Sequence, residues 1–264
     1  MPTHDDTWPE GTPCWIDVMV TDVAAAKDFY SGLFGWECQE SGPDYGGYVT
    51  CLLNGRQVAA ISPKPDDNPF PNVWSTYLAV DDLEATAAKV RDEGGSFMME
   101  PMDVGQMGRM AYCADPTGAT FGLWQAGEHK GIGLHSEPGA LVWEEQMSND
   151  YEAAKTFYAR VLGYSYDSMD SGDFLYSTFS TTDGQLRGGI GRLPAGDVQV
   201  PAHWAIYFGV SDTDAAAARV SELGGSVQGE PQDSPYGRVA RVTGPQGEAF
   251  CLISVAWQQD QPTS

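Results

Sequence analysis

Residues 15–20, WIDVMV, alternate in side-chain direction, which predicts a half-buried strand. The period then changes. Residues 24–34 are rich in good helix formers and place Ala26, Phe29, Tyr30 and Leu33 on one face, which predicts a helix. Thr21-Asp22 offers a short side-chain oxygen to the orphan amides at its start, and Gly35 offers a left-handed stop at its end. The same strand, cap and helix return at 143–164. Trp15 corresponds to Trp143, Lys27 to Lys155, Phe29-Tyr30 to Phe157-Tyr158 and Gly35 to Gly163, all at an offset of 128 residues.

A second pattern follows each copy. Strands are expected near 48–53 and 57–61, split by an Asn54-Gly55 turn, and 63–71 is a Pro-rich connector. The strand WSTYLAV (74–80) leads through Asp81-Asp82 into a helix at 83–93 closed by Gly94-Gly95. Strands near 96–99, 109–113 and 120–125 come next. DPTG at 115–118 predicts a tight turn between two antiparallel strands, because Pro presets φ and Gly supplies φ > 0. This pattern also recurs: Trp74 corresponds to Trp204, Tyr77 to Tyr207, Asp82 to Asp212, Gly108-Arg109 to Gly237-Arg238, and DPTG to GPQG at 244–247. The chain therefore reads as four βαβββ units. Residues 1–11 are expected to form a loose tail and 127–138 a linker without periodicity. One unit cannot cover its own sheet, so pairs should enclose cups. The expected fold is α+β, with four βαβββ units paired into two domains at 12–126 and 139–258. Pairing within each half or across the linker, for example one with four, stays open.

Composition narrows the partners. The 264 residues carry a net charge of −23, from 37 acidic and 14 basic residues. Such a surface repels phosphate backbones and anionic lipid, so neither nucleic acid nor membrane is an expected partner. The five cysteines show no CxxC pair and no metal spacing, and an odd, scattered set suits a reducing cytoplasm. The first ten residues lack the basic and apolar regions of a signal peptide, and no apolar run reaches membrane-spanning length. A monomer or homodimer binding a small molecule is the expectation.

The four units, their strand-one "V-x-D" turn and the closing DPTGATFGLW resemble the vicinal oxygen chelate superfamily. That superfamily includes glyoxalase I, extradiol dioxygenases, fosfomycin-modifying enzymes and bleomycin-binding proteins. The resemblance spans residues 13 to about 256 and implies two glyoxalase-like domains. It also implies positions for a divalent metal: His or Gln on the first strand of a unit, and Glu on the last strand, four residues after the turn Gly. Those positions here are Trp15, Ser75, Trp143 and Ala205 on first strands, and Gly122 and Cys251 on last strands. None is the ligand the resemblance requires, so neither metal nor other cofactor is expected.

By the resemblance the tryptophan position faces the cup. Strand parity then places Asp17 beside Trp15, and Glu145 beside Trp143, with Gly122 also facing inward. The two carboxylates read as general acid or base groups, as anchors for a substrate hydroxyl or ammonium, or as paired structural acids. Tyr77 and Tyr207 share the cup parity and either bond a ligand or complete the core. Trp124 adds an apolar wall. His203, Glu145 and Cys251 make either an acid, base and nucleophile set or a hydrogen-bonded His beside an inert Cys. Arg109 and Arg238 either clamp a ligand carboxylate at the rims or pair with surface acids. Two functions follow from these residues and the resemblance. One is a metal-free lyase, isomerase or hydroxylase-type enzyme acting on a small aromatic or carbonyl metabolite. The other is a non-catalytic protein that sequesters an antibiotic or metabolite in one or both cups.

Overall fold

The computed structural model describes residues 2–42, 45–194 and 200–254. The predicted boundary at 258 and the last residues of the fourth unit lie outside them. The first half contains β1 (Pro13–Val20), α1 (Val23–Phe34), β2 (Glu37–Glu40), β3 (Val49–Leu53), β4 (Arg56–Pro63), β5 (Val73–Ala79), α2 (Leu83–Asp92), β6 (Ser96–Asp103), β7 (Gly108–Ala114) and β8 (Thr120–Ala126). The second repeats the order as β9 (Leu141–Ser148), α3 (Tyr151–Leu162), β10 (Ser165–Ser168), β11 (Tyr176–Ser180), β12 (Leu186–Arg192), β13 (His203–Gly209), α4 (Thr213–Glu222), β14 (Ser226–Ser234), β15 (Gly237–Thr243) and β16 (Ala249–Ser254).

Each half folds into one eight-stranded sheet, ordered β2-β3-β4-β1-β5-β8-β7-β6 and β10-β11-β12-β9-β13-β16-β15-β14. The seam between units is antiparallel, β1 on β5 and β9 on β13, with Trp15 opposite Tyr77 and Trp143 opposite Tyr207. Strands therefore pair within a half. The helices start as their sequence dictates: Asp22, Asp82, Asp150 and Asp212 each accept the amide three residues on. Gly35 and Gly163 close α1 and α3 at φ 73°, a left-handed conformation that Gly adopts at least cost.

The hydrophobic cores follow the other pairing. One core joins α1 and its strands (Phe29, Tyr30, Phe34) to Phe208, Val220 and Phe250 of the fourth unit. The other joins Leu78, Phe121 and Leu123 of the second unit to Phe157 and Tyr158 of α3. Each sheet is thus built from neighbouring units, whereas each core is built across the linker. Two matching hydrogen-bond chains lock this arrangement. Trp74 Nε1 donates to the Tyr30 hydroxyl at 3.1 Å, and that hydroxyl donates to Glu248 at 3.0 Å. Trp204 Nε1 donates to Tyr158 at 3.0 Å, and Tyr158 donates to Asp115 at 3.0 Å. Asp115 is the first residue of the DPTG turn, whose counterpart is Gly244. A Cβ on Gly244 would lie 2.1 Å from Glu248 Oε1, so the glutamate fills the space that the lost aspartate leaves.

Two segments differ from expectation. Residues 2–11 are tied down: Thr3 bridges Leu134, Trp8 Nε1 donates to the Ile132 carbonyl, and the Tyr164 hydroxyl donates to the Gly11 carbonyl. The linker 127–138 is also packed, with Ile132 and Leu134 buried. Neither has a periodic pattern, because each is held by isolated long-range contacts rather than by an amphipathic face.

Candidate functional site

The concave face of each sheet carries the same constellation. In the first cup, Asp17 on β1 accepts hydrogen bonds from Tyr77 on β5 at 3.1 Å and from Tyr48, just before β3, at 3.2 Å. Trp15 Nε1 donates to the Tyr48 hydroxyl at 2.8 Å. In the second, Glu145 on β9 accepts from Tyr176 at 2.8 Å and from Tyr207 at 2.9 Å. Trp143 Nε1 donates to the Tyr176 hydroxyl at 3.1 Å and to Glu145 itself at 3.2 Å. Period-two geometry sends Trp, acid and Met of the first strand to one face, and the antiparallel seam brings the facing tyrosine beside them. Asp17, Glu145, Trp15, Trp143, Tyr77 and Tyr207 are thereby assembled as their parity predicted. Tyr48 and Tyr176 were not among the predicted site residues. They occupy duplicated positions at the same offset of 128, which is the signal that would have found them.

The two cups differ in access. Trp15, Asp17 and Tyr77 are 4%, 6% and 9% exposed. Tyr112 donates to or accepts from Ser75 at 3.0 Å, and Gly122 lies directly beneath the Tyr77 ring, where a Cβ would approach within 2.0 Å. Gly122 therefore faces the cup, as predicted. The linker closes the mouth. His129 sits edge-on to Trp15 at 4.3 Å and to Trp124 at 5.4 Å between ring centroids, and the Trp124 indole donates to the His129 carbonyl. Burial pushes His129 down to about 4, so the plug is a neutral imidazole at pH 7. Burial also pushes Asp17 up to about 6, against the lowering effect of Tyr77, Tyr48 and Ser75.

The second cup opens into a cavity of about 1980 Å³, lined by Trp143, Glu145, Tyr176, Tyr207 and Arg241 on its floor and walls. Small-molecule pockets commonly hold ~300–1,000 Å³, so this space suits a large ligand. Phe174 and Tyr236 stand exposed at the mouth, and the Tyr236 hydroxyl approaches Met169 Sδ at 3.3 Å from the opposite loop. Two exchanges contribute to the opening. Arg241 stands where the first cup has Tyr112, and Ile253 where it has Trp124. Burial raises the carboxyl of Glu145 above its ordinary range, opposed by the hydrogen bonds of Tyr176, Tyr207 and Trp143 and by the charge of Arg241.

The remaining expected site residues need correction. Arg109 pairs with Glu84 and Asp103, and Arg238 with Asp214 and Asp233, so neither reaches a cup. The carboxylates nearest in the fold capture them first. Arg241, three residues beyond Arg238 and on the opposite face of β15, lines the cavity instead, as do Arg187 and Arg192. His203 Nδ1 faces the Pro201 carbonyl at 2.9 Å, and His203 does not line the cavity. Cys251 is buried, and that burial pushes its thiol up to about 12. The set of Glu145, His203 and Cys251 therefore lacks both an available histidine and an ionisable thiol at neutral pH. Trp124 belongs to the closed first cup.

The cups do not fit a divalent metal of the resembled type. The first-strand tryptophans present N–H donors, Ser75 is engaged by Tyr112, and Asp17 Oδ2 and both Glu145 oxygens accept phenol hydroxyls. Among the described residues no three His, Cys, Asp and Glu side chains converge as a coordination set.

Comparison with known proteins follows the same two halves. The model of the Glyoxalase/Bleomycin resistance protein/Dioxygenase superfamily matches residues 14–123, and a glyoxalase-like domain model matches 145–253. The chain is 41% identical over 265 residues to the protein named "Putative glyoxylase CFP32" of Mycobacterium tuberculosis, covering 98% of this chain and 100% of that one. It is 38% identical over 266 residues to anthracycline biosynthesis protein DnrV of Streptomyces peucetius, covering 93% and 94%. Among solved structures, a Mn(II)-bound glyoxalase from Novosphingobium aromaticivorans aligns with a TM-score of 0.65 at 19% identity, over 96% of this chain and 87% of that one. At that identity the likeness shows the fold alone.

Proposed function

The chain belongs to the glyoxalase, bleomycin resistance protein and dioxygenase superfamily, and we propose that within it the second cup carries out metal-independent proton transfer on a large hydroxylated aromatic ligand. The carrying observation is Glu145: a carboxylate with raised pKa, clasped by two phenols, on the floor of an open cavity whose duplicate is closed. Trp143, Tyr176 and Phe174 supply aromatic surface for a planar ring system, with Phe174 and Tyr176 already stacked at 5.8 Å. The anthracycline biosynthesis name of a relative at 38% identity supports a polycyclic ligand.

The residues suit a proton relay. A C–H group α to a ligand carbonyl gives its proton to Glu145, and the electron pair left behind delocalises onto the carbonyl oxygen as an enolate. Arg241, whose charge already acts on Glu145, stabilises the oxyanion. The protonated Glu145 then returns its proton to a different carbon of the enolate, which completes an isomerisation. Tyr176 and Tyr207 hold the carboxylate in place throughout. A carboxyl with raised pKa is a stronger base than an ordinary one.

The test uses 4,5-dihydroxyanthraquinone-2-carboxylic acid as a binding probe, read by quenching of tryptophan fluorescence. Saturation at one equivalent per chain is expected, together with exchange of solvent deuterium into acidic C–H positions of tricyclic β-keto ester analogues. Binding without exchange would replace the catalytic reading by sequestration, and no binding would overturn both.

A further inference from the structure

We infer that Cys38 and Cys51 form a peroxide-oxidisable dithiol that closes to a cross-strand disulfide. The pair lies outside both cups, at the sheet edge where β2 meets β3. Cys38 and Cys51 are direct antiparallel partners, and their sulfurs are 3.7 Å apart. Opposed residues in an antiparallel pair hold their Cα atoms ~4.5–5.5 Å apart, inside the ~4.4–6.8 Å range that a disulfide spans. The sulfurs need only side-chain rotation to bond. The other cysteines lack such a partner: Cys14 faces the Tyr77 carbonyl and Cys113 the Phe121 carbonyl, both buried.

The two thiols divide the work by access. Cys38 is partly exposed, whereas Cys51 is buried. The Cys38 and Cys51 sulfurs share a hydrogen bond, Ser31 Oγ lies 3.7 Å from the Cys38 sulfur, and Lys27 adds positive charge nearby. These contacts hold the Cys38 thiol below its ordinary range, while the same hydrogen bond and burial push Cys51 up. The accessible sulfur is therefore the nucleophile and the buried one its resolving partner.

The chemistry balances with a hydroperoxide as oxidant. The Cys38 thiolate attacks one peroxide oxygen, the O–O bond breaks, and the departing alkoxide or hydroxide takes a proton and leaves as alcohol or water. Sulfur loses two electrons and becomes a sulfenic acid. The Cys51 sulfur then attacks that sulfenic sulfur, the S–O bond breaks, and the hydroxyl leaves with the Cys51 proton as water. The product ties the four-residue edge strand β2, which is mostly exposed, to β3. Closing this loop restricts the unfolded chain and raises the melting temperature.

The experiment treats the full-length protein with hydrogen peroxide, then alkylates it under denaturing conditions and maps the peptides by mass spectrometry. Expected are a loss of two mass units, a Cys38–Cys51 linked peptide, alkylation of Cys14, Cys113 and Cys251 as before, and a melting temperature raised by several degrees that dithiothreitol reverses. Cys51→Ala should accumulate a dimedone-reactive sulfenic acid at Cys38, and Cys38→Ser should abolish the linkage. Recovery of both cysteines alkylated after peroxide would overturn the proposal. So would unchanged oxidation of Cys51 in Cys38→Ser. The wild-type mapping decides the matter even if the Cys51→Ala protein fails to fold.

Discussion

The first and second cups start from one duplicated sequence and reach opposite states. Each holds an acid clasped by two tyrosines under a tryptophan. In the first cup the space above that cluster is taken by Tyr112, Trp124 and the linker residue His129. In the second it is empty, bounded by Arg241 and Ile253 and open to solvent between two loops with exposed aromatic tips. The difference shows how a duplicated domain can divide its labour. An acid and the phenols that donate to it form a hydrogen-bonded floor in either copy, buried at Asp17 and partly exposed at Glu145. Whether that floor is core or site depends on a few residues at the rim and on one segment between the domains.

The largest effect should separate the two acids. Glu145→Gln is expected to lower turnover at least ~100-fold, the usual worth of a general base, whereas Asp17→Asn leaves turnover unchanged. The acid limb of the wild-type rate profile should lie above the ordinary carboxyl range, because activity needs the ionised form and burial raises the pKa of Glu145. For Asp17 the sign is worked out on stability. Its folded pKa is raised from 3.8 to about 6, so its stabilising contribution is full below 3.8 and is lost as pH rises through 6. The melting temperature of wild type relative to Asp17→Asn should therefore fall between pH 4 and pH 7. Equal turnover losses in the two variants would erase the distinction between the cups.

The next effect concerns the opposite face of the same strands. Ile16 on β1 is replaced by Glu144 on β9, which is 1% exposed between the domains. Glu144 accepts from the Thr76 hydroxyl through one oxygen, and its other oxygen has no hydrogen-bond partner among the described residues. Burial pushes its carboxyl up to about 8, so it is neutral at pH 7. Its stability contribution is full below 4.5 and disappears as pH rises through 8, a loss on the order of a few kcal/mol. Thermal melts should show wild type progressively destabilised between pH 5 and pH 8 and Glu144→Gln far less so. Parallel melts of both proteins would mean that the ionised carboxylate finds a partner on opening.

A smaller loss should come from removing the plug. His129→Gly is expected to destabilise the protein by about 2 kcal/mol, from a lost ring contact and a freer linker. Millimolar imidazole should then raise its melting temperature while leaving wild type unchanged, because the vacated space between Trp15 and Trp124 matches that ring. If imidazole stabilises neither protein, the first cup has collapsed rather than opened. Smaller again is Arg241→Gln, which removes the charge without restoring the tyrosine that fills the first cup. It should weaken binding of the carboxylated anthraquinone about tenfold and leave the uncharged parent compound bound as before. Equal weakening of both probes would assign Arg241 a steric part instead.

Much of this was legible before any coordinates. Strand alternation fixed which face Trp15, Asp17, Trp143 and Glu145 share, because a period of two leaves only two choices. The Asp caps and Gly stops located the helices for an equally local reason. What escaped was set by distance in sequence. His129 lies in a stretch without periodicity, yet it meets Trp15 through a chain reversal that no local pattern encodes. Arg241 was passed over for Arg238 because the visible Gly-Arg duplication pointed to the residue that the surface acids capture. The core pairing across the linker was invisible for the same reason: Phe29 and Phe250 are each merely apolar until the fold brings their rings within 6.4 Å.

The smallest expected effect tests that last distinction. Arg109 and Arg238 are duplicated, each flanked by a positive-φ glycine, and each bonded to two carboxylates. Duplication alone would suggest function at both. Their carboxylate partners are largely exposed, so the pairs gain little Coulomb energy in water and are screened by salt. Neither guanidinium faces a cup. Arg109→Ala and Arg238→Ala should therefore leave probe affinity and turnover unchanged and shift the melting temperature by no more than a degree, a shift that disappears in 0.5 M salt. The Arg241→Gln variant measured alongside supplies the contrast: a loss of anionic-probe binding there and none in the other two places the second cup's charge recognition on a residue that the duplication did not copy. Loss of binding in Arg238→Ala would instead extend the site to the far face of β15.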